Sequence, residues 1–329
     1  MDFSSLPKIE LHLHLDCSLS YDVVSKLNPD ISKSAYRDSF VAPDKCRDLA
    51  DYISRSQEAI KLMQTKEALT LVVEDLFKQL QADHVIYAEL RFAPLEHTKG
   101  ELSAVEVVET VSEAVVDQIG ETGTEAGIIL CTLRHYSEAQ SMHTVKLVEQ
   151  FSDTGVVGFD IAADEAGFPI DNHISAFEYA DEHSLNCTAH AGEARGAASV
   201  QETLEYFKPA RIGHGVRSAE DEDLLKILKK QDIHLEVCPT SNIQTNVYEG
   251  ITDHTVDMLF ESGVSLSINT DTRTISDVTL TEEYQKLQNV FQWDKDQLIE
   301  CNLAAIEHAF TTEKIKKQLR QEIIEAYKC

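Results

Sequence analysis

Glycine and proline are scarce and scattered, 13 and 7 among 329 residues, and no stretch is rich in serine, glycine and proline together. That leaves no candidate linker, low-complexity tract or fixed-period repeat, so one continuous domain, residues 1–329, is expected. No apolar run approaches the roughly 18 residues of a membrane span. The N-terminus, MDFSSLPKIE, lacks the basic start and apolar stretch of a secretory leader. The seven cysteines stand singly with no C-x-x-C pair, and an odd number cannot all pair internally. Reduced thiols and a cytoplasmic home are the expectation. Basic residues are also in short supply, 29 Lys and Arg against 57 Asp and Glu, for a formal charge of -28. Nucleic acid or an anionic membrane would repel such a chain, whereas a neutral small molecule would not. With 43% hydrophobic and 26% charged residues, the composition is that of an ordinary folded protein able to bury a large core without disulfides.

What recurs is a short apolar, β-branched run followed by a longer stretch with helical spacing, the pattern of parallel strands with crossover helices. Strands are predicted at residues 8–14, 84–92, 126–133, 155–161, 186–190, 210–214, 234–238 and 264–270. Eight such units specify a single (β/α)₈ barrel of the TIM type. Segments 103–119, 170–183 and 221–230 repeat apolar residues at three and four, as helices covering a sheet require. The stretch 18–80 is too long for one crossover, so it holds extra helices that cap the barrel mouth.

The first strand reads Ile9-Glu10-Leu11-His12-Leu13-His14-Leu15-Asp16. Side chains alternate along a strand, so His12 and His14 point the same way. Three later strand ends supply company: Thr188-Ala189-His190-Ala191-Gly192-Glu193, Arg211-Ile212-Gly213-His214-Gly215, and Ser267-Ile268-Asn269-Thr270-Asp271. In a parallel barrel all such ends gather at one face, where residues far apart in sequence can surround a single ion. Three neutral imidazoles and a carboxylate suit Zn²⁺, which lowers the pKa of a coordinated water toward about 7 and so supports hydrolysis or hydrolytic deamination. Cys131, Cys187 and Cys238 lie in strand runs and read as small core hydrophobes, not nucleophiles.

Together these motifs, with Leu6–His12 and Cys238-Pro239-Thr240-Ser241-Asn242, give the chain a clear resemblance to the adenosine deaminase family of metal-dependent amidohydrolases. The resemblance implies zinc held by His12, His14, His190 and Asp271. It implies that Glu193 protonates purine N1 while C6 is attacked, and that His214 orients the attacking water and helps remove its proton. Asp271 both touches the metal and hydrogen-bonds that water. For substrate, Asp16 matches the residue that bonds the ribose hydroxyl, and the backbone N–H at Ala163 the donor to purine N3. The implied reaction is hydrolysis of adenosine and 2′-deoxyadenosine to inosine and 2′-deoxyinosine with release of ammonia, in a cytoplasmic enzyme with no nucleic-acid or membrane partner.

Three positions depart from the family pattern. Ala163 stands where many members have glycine, so its N–H serves only if alanine tolerates the local φ. Cys17 replaces a glycine. Thr272, followed by Arg273, replaces a second aspartate that bonds purine N7, leaving a neutral hydroxyl opposite that atom. These keep open a second substrate, free adenine or an N6-substituted adenine nucleoside, handled by the same mechanism. A non-catalytic nucleoside-binding protein on the same scaffold is the reading from another class. Phe40, Leu49, Tyr52 and Ile53 either pack a cap helix or line the purine pocket.

Overall fold

The computed structural model describes residues 3–327. Eight parallel strands form: β1 Lys8–His14, β2 Val85–Phe92, β3 Glu125–Leu133, β4 Val156–Ala162, β5 Thr188–Ala191, β6 Arg211–His214, β7 His234–Val237 and β8 Leu266–Ile268. They pair in chain order as two runs of four, β1 to β4 and β5 to β8. Single bridges join the runs at both seams, Phe159 with Cys187 and Leu13 with Asp271. At the second seam the His14 N–H donates to the Asp271 carbonyl at 2.7 Å and the Asp271 N–H to the His12 carbonyl at 3.0 Å. The sheet therefore closes into the expected barrel.

The β8 strand is shorter than its apolar run predicts, and the reason is Asn269. Its side-chain oxygen accepts from the backbone N–H groups of Leu11 and His12 at 2.8 and 3.1 Å, and its amide donates to the carbonyls of Ser267 and Val237 at 3.3 and 3.4 Å. A fully buried side chain thus does the work of ladder bonds between β1 and β8. Beyond it the chain turns into the mouth of the barrel.

Covering helices follow most strands, and their ends obey local rules. Ala104–Thr122 opens on a Ser103/Glu106 capping box and closes on Gly123 at φ 74, a left-handed conformation suited to glycine. As anticipated, β1 and β2 are separated by several helices, Tyr21–Leu27, Lys33–Phe40, Leu49–Ile53, Ser56–Leu62 and Lys66–Ala82. Residues of Leu49–Ile53 and Ser56–Leu62 overhang the mouth. No helix among the described residues is long and apolar enough to cross a membrane.

The barrel interior is charged. Arg91 of β2 reaches Glu236 of β7 at 2.8 Å, and since β2 and β7 are not neighbours in the sheet, both side chains must point inward. If Asn269 is the clasp described, Asn269→Leu leaves two buried N–H groups unpaired and costs roughly 2–6 kcal/mol at 1–3 per group. Denaturant unfolding measures this, and a loss under about 1 kcal/mol would show that the seam holds without it.

Candidate active site and metal centre

The structure brings His12, His14, His190, His214 and Asp271 to one end of the barrel. His14 Nε2 lies 3.2 Å from His190 Nε2. Asp271 Oδ1 is 3.3 Å from His12 Nε2 and 3.5 Å from His14 Nε2. By proximity alone, His12, His190, His214 and Asp271 form a group whose donor atoms all lie within 4.8 Å of one another, so distance admits five candidate ligands.

The far nitrogens of two of these rings are already committed. Nδ1 of His12 donates to Glu236 at 2.8 Å, and Nδ1 of His190 to Asp160 at 3.2 Å. A neutral imidazole protonated at Nδ1 carries a lone pair at Nε2, so both rings aim lone pairs at the shared space. His12 Nε2 is buried there without a hydrogen-bond partner. Burial also pushes the His14 pKa down to about 3, so protons do not supply the missing positive charge at that ring. Burial alone would raise the Asp271 pKa, and the His12, His214 and His14 imidazoles around it reverse that, holding it well below the usual carboxylate range. Its other oxygen accepts from the Ser241 hydroxyl at 2.7 Å. Burial and Arg91 lower the His12 pKa, yet Asp271 and Glu236 leave it raised, so the cluster draws positive charge to this point, and imidazoles converging on an ionised carboxylate are what a divalent cation requires.

Sequence reasoning did not find the groups that hold these ligands. Arg91 donates to Asp160 and to Glu236, both at 2.8 Å, and so clamps the two carboxylates that orient His190 and His12. Arg211 donates to Glu236 at 2.7 Å and also pairs with Glu89, which in turn accepts from the Phe310 N–H at 2.6 Å. Burial alone would raise the Glu236 pKa, and the two guanidiniums reverse that, holding it well below the ordinary range. The available signal was charge inside apolar strand runs, as in Phe159-Asp160-Ile161 and Leu235-Glu236-Val237, where an unpaired charge would be prohibitive.

The backbone is bent to fit. His214 and Asp271 have φ of 60 and 65, and Ala163 has φ of 79. Each non-glycine residue in this region costs roughly 1–2 kcal/mol, and such residues gather at functional sites. Ala163 takes the left-handed conformation that glycine would adopt without strain.

Above the ligands opens a cavity of about 370 Å³, within the range of small-molecule sites. Glu193, Asp16, Ala163 and Thr272 all line it. Glu193 sits on the loop after β5, buried, with Oε1 lacking a partner and Oε2 3.6 Å from His214 Nε2. Burial, with the nearby charges of Asp271 and Glu165, raises its pKa well above the usual value and so favours its protonated form. Glu165, also missed, knits this loop. Its carboxylate accepts from the N–H groups of Gly192, Glu193 and Arg195 at 2.7, 3.1 and 2.9 Å and from the Ser199 hydroxyl at 2.6 Å. Asp16 is buried beside His97, 3.7 Å away, and although burial raises a carboxyl pKa, the His97 imidazole takes it below the usual carboxylate range. The Thr272 hydroxyl is hydrogen-bonded to the Tyr52 phenol and lies 3.3 Å from the Ser276 hydroxyl. Leu49, Tyr52 and Ile53 line the cavity, while Phe40 packs in the main core. Cys17 also lines it, and the cysteines among the described residues are free and buried.

A family model described as Adenosine deaminase matches residues 7–326. The chain belongs to the adenosine deaminase family. It is 36% identical to an adenosine deaminase of Enterococcus faecalis, over 98% of this chain and 97% of the relative. Among solved structures, the Arabidopsis N6-mAMP deaminase superposes with a TM-score of 0.88 at 26% identity, covering 98% of this chain and 99% of that one. An amidohydrolase of Burkholderia ambifaria, solved with bound Zn, gives a TM-score of 0.91 at 19% identity over 99% and 92% of the two chains, a likeness of fold.

The lone pairs converging from His12 and His190, with His14 Nε2 3.2 Å from His190 Nε2, lead to a direct test. Purified protein should hold about one divalent ion per chain, and His12→Ala should lose most of it because a third of the imidazole donors goes. Elemental analysis reads this. Full metal content in His12→Ala would remove β1 from the metal centre.

Proposed function

We propose that this chain hydrolyses adenosine and 2′-deoxyadenosine to inosine and 2′-deoxyinosine, releasing ammonia, with zinc as its metal. The observation that carries the reading is the meeting, in one cavity, of the ligand cluster with a buried Glu193 carboxyl that has an unpartnered oxygen. Zinc held by His12, His14, His190 and Asp271 would supply the charge that brings the pKa of a water toward about 7. Glu193 delivers its proton to purine N1 as C6 is attacked, which requires the acid form that burial maintains. Asp16 takes the ribose hydroxyl, the Ala163 N–H takes N3, and the Thr272 hydroxyl, held by Tyr52, faces N7.

The likeness to an N6-mAMP deaminase raises a nucleotide as the second reading. The cavity argues for a nucleoside. Among the described residues its lining contains no lysine or arginine, and it presents the carboxylates of Asp16, Glu96 and Asp164. A 5′-phosphate brought there would meet like charge in a chain already at -28, at a cost of several kcal/mol. Adenosine should therefore be turned over on the order of 10²-fold more efficiently than AMP or its N6-methyl form. Loss of ultraviolet absorbance across adenosine, 2′-deoxyadenosine, adenine, N6-methyladenosine and the two nucleotides decides the substrate. A preference for either nucleotide, or no turnover of any of them, would overturn the proposal.

Glu193→Gln should retain metal and lose on the order of 10²-fold or more in kcat, because the amide cannot protonate N1. The same variant has a stability consequence of definite sign. With its pKa raised in the fold, Glu193 keeps a proton that the unfolded chain releases above about pH 4.3. Its contribution therefore becomes less favourable as pH rises from there toward the folded pKa. Glu193→Gln should melt higher than the unaltered protein at pH 7, with the gain shrinking toward pH 4. An equal melting temperature at both pH values would mean that Glu193 is ionised in the fold.

A further inference from the structure

Distance places His214 in two incompatible parts, as one of the donors close enough to hold a metal and as a group that serves the attacking water. The position of its proton decides between them. A lone pair at Nε2 can bind a cation or take a proton, and an N–H there can do neither.

The answer is anchored at a backbone amide outside the site. The Val256 N–H donates to Nδ1 of His254 at 3.0 Å, so that nitrogen holds a lone pair and the single proton of the neutral ring sits on Nε2. Burial pushes the His254 pKa down to about 3, which keeps the ring neutral. His254 Nε2 therefore donates to Oδ1 of Asn242, 3.2 Å away. That bond fixes the amide, because the flipped orientation would set an NH₂ group against an N–H. Asn242 Nδ2 then faces Nδ1 of His214 at 3.1 Å. An amide nitrogen only donates, so His214 Nδ1 accepts, and the proton of a neutral His214 must lie on Nε2. His254, Asn242 and His214 are 4%, 0% and 1% exposed, which leaves water no part in the relay.

We propose that His254 and Asn242 are positioning residues that lock His214 in the Nε2–H tautomer, making it a hydrogen-bond donor into the cavity that neither binds the metal nor takes the proton of the attacking water. Its Nε2 faces the cavity beside Glu193. Of the five donors that distance admits, the tautomer removes His214 and leaves His12, His14, His190 and Asp271. The proton of the attacking water then has the Asp271 carboxylate as its acceptor. The role toward that water rests on the deaminase reading, whereas the tautomer stands on hydrogen bonding alone.

Protein labelled with ¹⁵N-histidine and purified with its metal reports the tautomer through long-range proton–nitrogen correlations, His214 being assigned by the signals absent from His214→Gln. A protonated Nε2 and an unprotonated Nδ1 are expected at both His214 and His254. Asn242→Asp offers carboxylate oxygens to both rings, so the His214 proton should move to Nδ1 while metal content holds. In that variant kcat for adenosine should fall on the order of 10²-fold with KM changed less than about 3-fold. His254→Gln keeps a donor toward Asn242 and should preserve the His214 tautomer and most of the rate. A protonated Nδ1 at His214 in the unaltered protein overturns the proposal, as does loss of metal from His214→Gln or full activity in Asn242→Asp with the proton moved. If Asn242→Asp does not fold, the spectrum of the unaltered protein and the His254→Gln variant still decide. Absence of turnover of any aminopurine would count against the deaminase reading and leave the tautomer where the spectrum puts it.

Discussion

One guanidinium governs the centre of this barrel. Arg91 donates to the two carboxylates, Asp160 and Glu236, that fix the ring orientation of His190 and His12. Without a cation between them those carboxylates would repel each other and would ionise less readily in a dry interior. With it they remain charged, keep the proton on the far nitrogen of each ring, and leave a lone pair on the near nitrogen. The candidate metal centre is thus shaped from below, by the packing of charge inside the barrel.

The same logic of committed hydrogen bonds runs through the upper site. Glu165 collects three backbone N–H groups and a hydroxyl, and so holds the loop on which Glu193 stands. His254 and Asn242 do for His214 what Asp160 and Glu236 do for the ligands, with the opposite polarity. Two rings present lone pairs and a third presents a proton. Which they present is set by neighbours that touch neither metal nor substrate.

Much of this was legible in the chain. The strand count, the bounds of β1 and the gathering of His12, His14, His190, His214 and Asp271 followed from alternation and from motifs at strand ends, because strand direction alone dictates where those ends meet. The stop of β8 was not legible, since Asn269 replaces ladder bonds with a side chain and nothing in an apolar run announces that. Asp160 and Glu236 escaped because their value depends on a partner across the barrel, and one chain's sequence carries no record of which inward residues face each other. Ala163 and Thr272 were recognised as departures from the family pattern. That the alanine keeps φ of 79, and that the threonine leans on the Tyr52 phenol, needed coordinates.

The charge network does not end beneath the ligands. From His12 it continues through Glu236, Arg211 and Glu89 to the backbone at Phe310, whose ring lies 3.6 Å under the Arg211 guanidinium, and to the His308 carbonyl, which accepts from Arg211 at 2.8 Å. His308 ends the helix Lys295–His308, and Phe310 lies in the link from it to the helix Glu313–Tyr327, at the closed end of the barrel. In barrels of this kind the mouth is treated as the seat of chemistry and the floor as a matter of stability alone. Here the floor is wired to the mouth. The C-terminal helices act as a foundation for the histidine cluster, and a change of shape at Phe310 would reach an imidazole at the far end of the same chain of ion pairs.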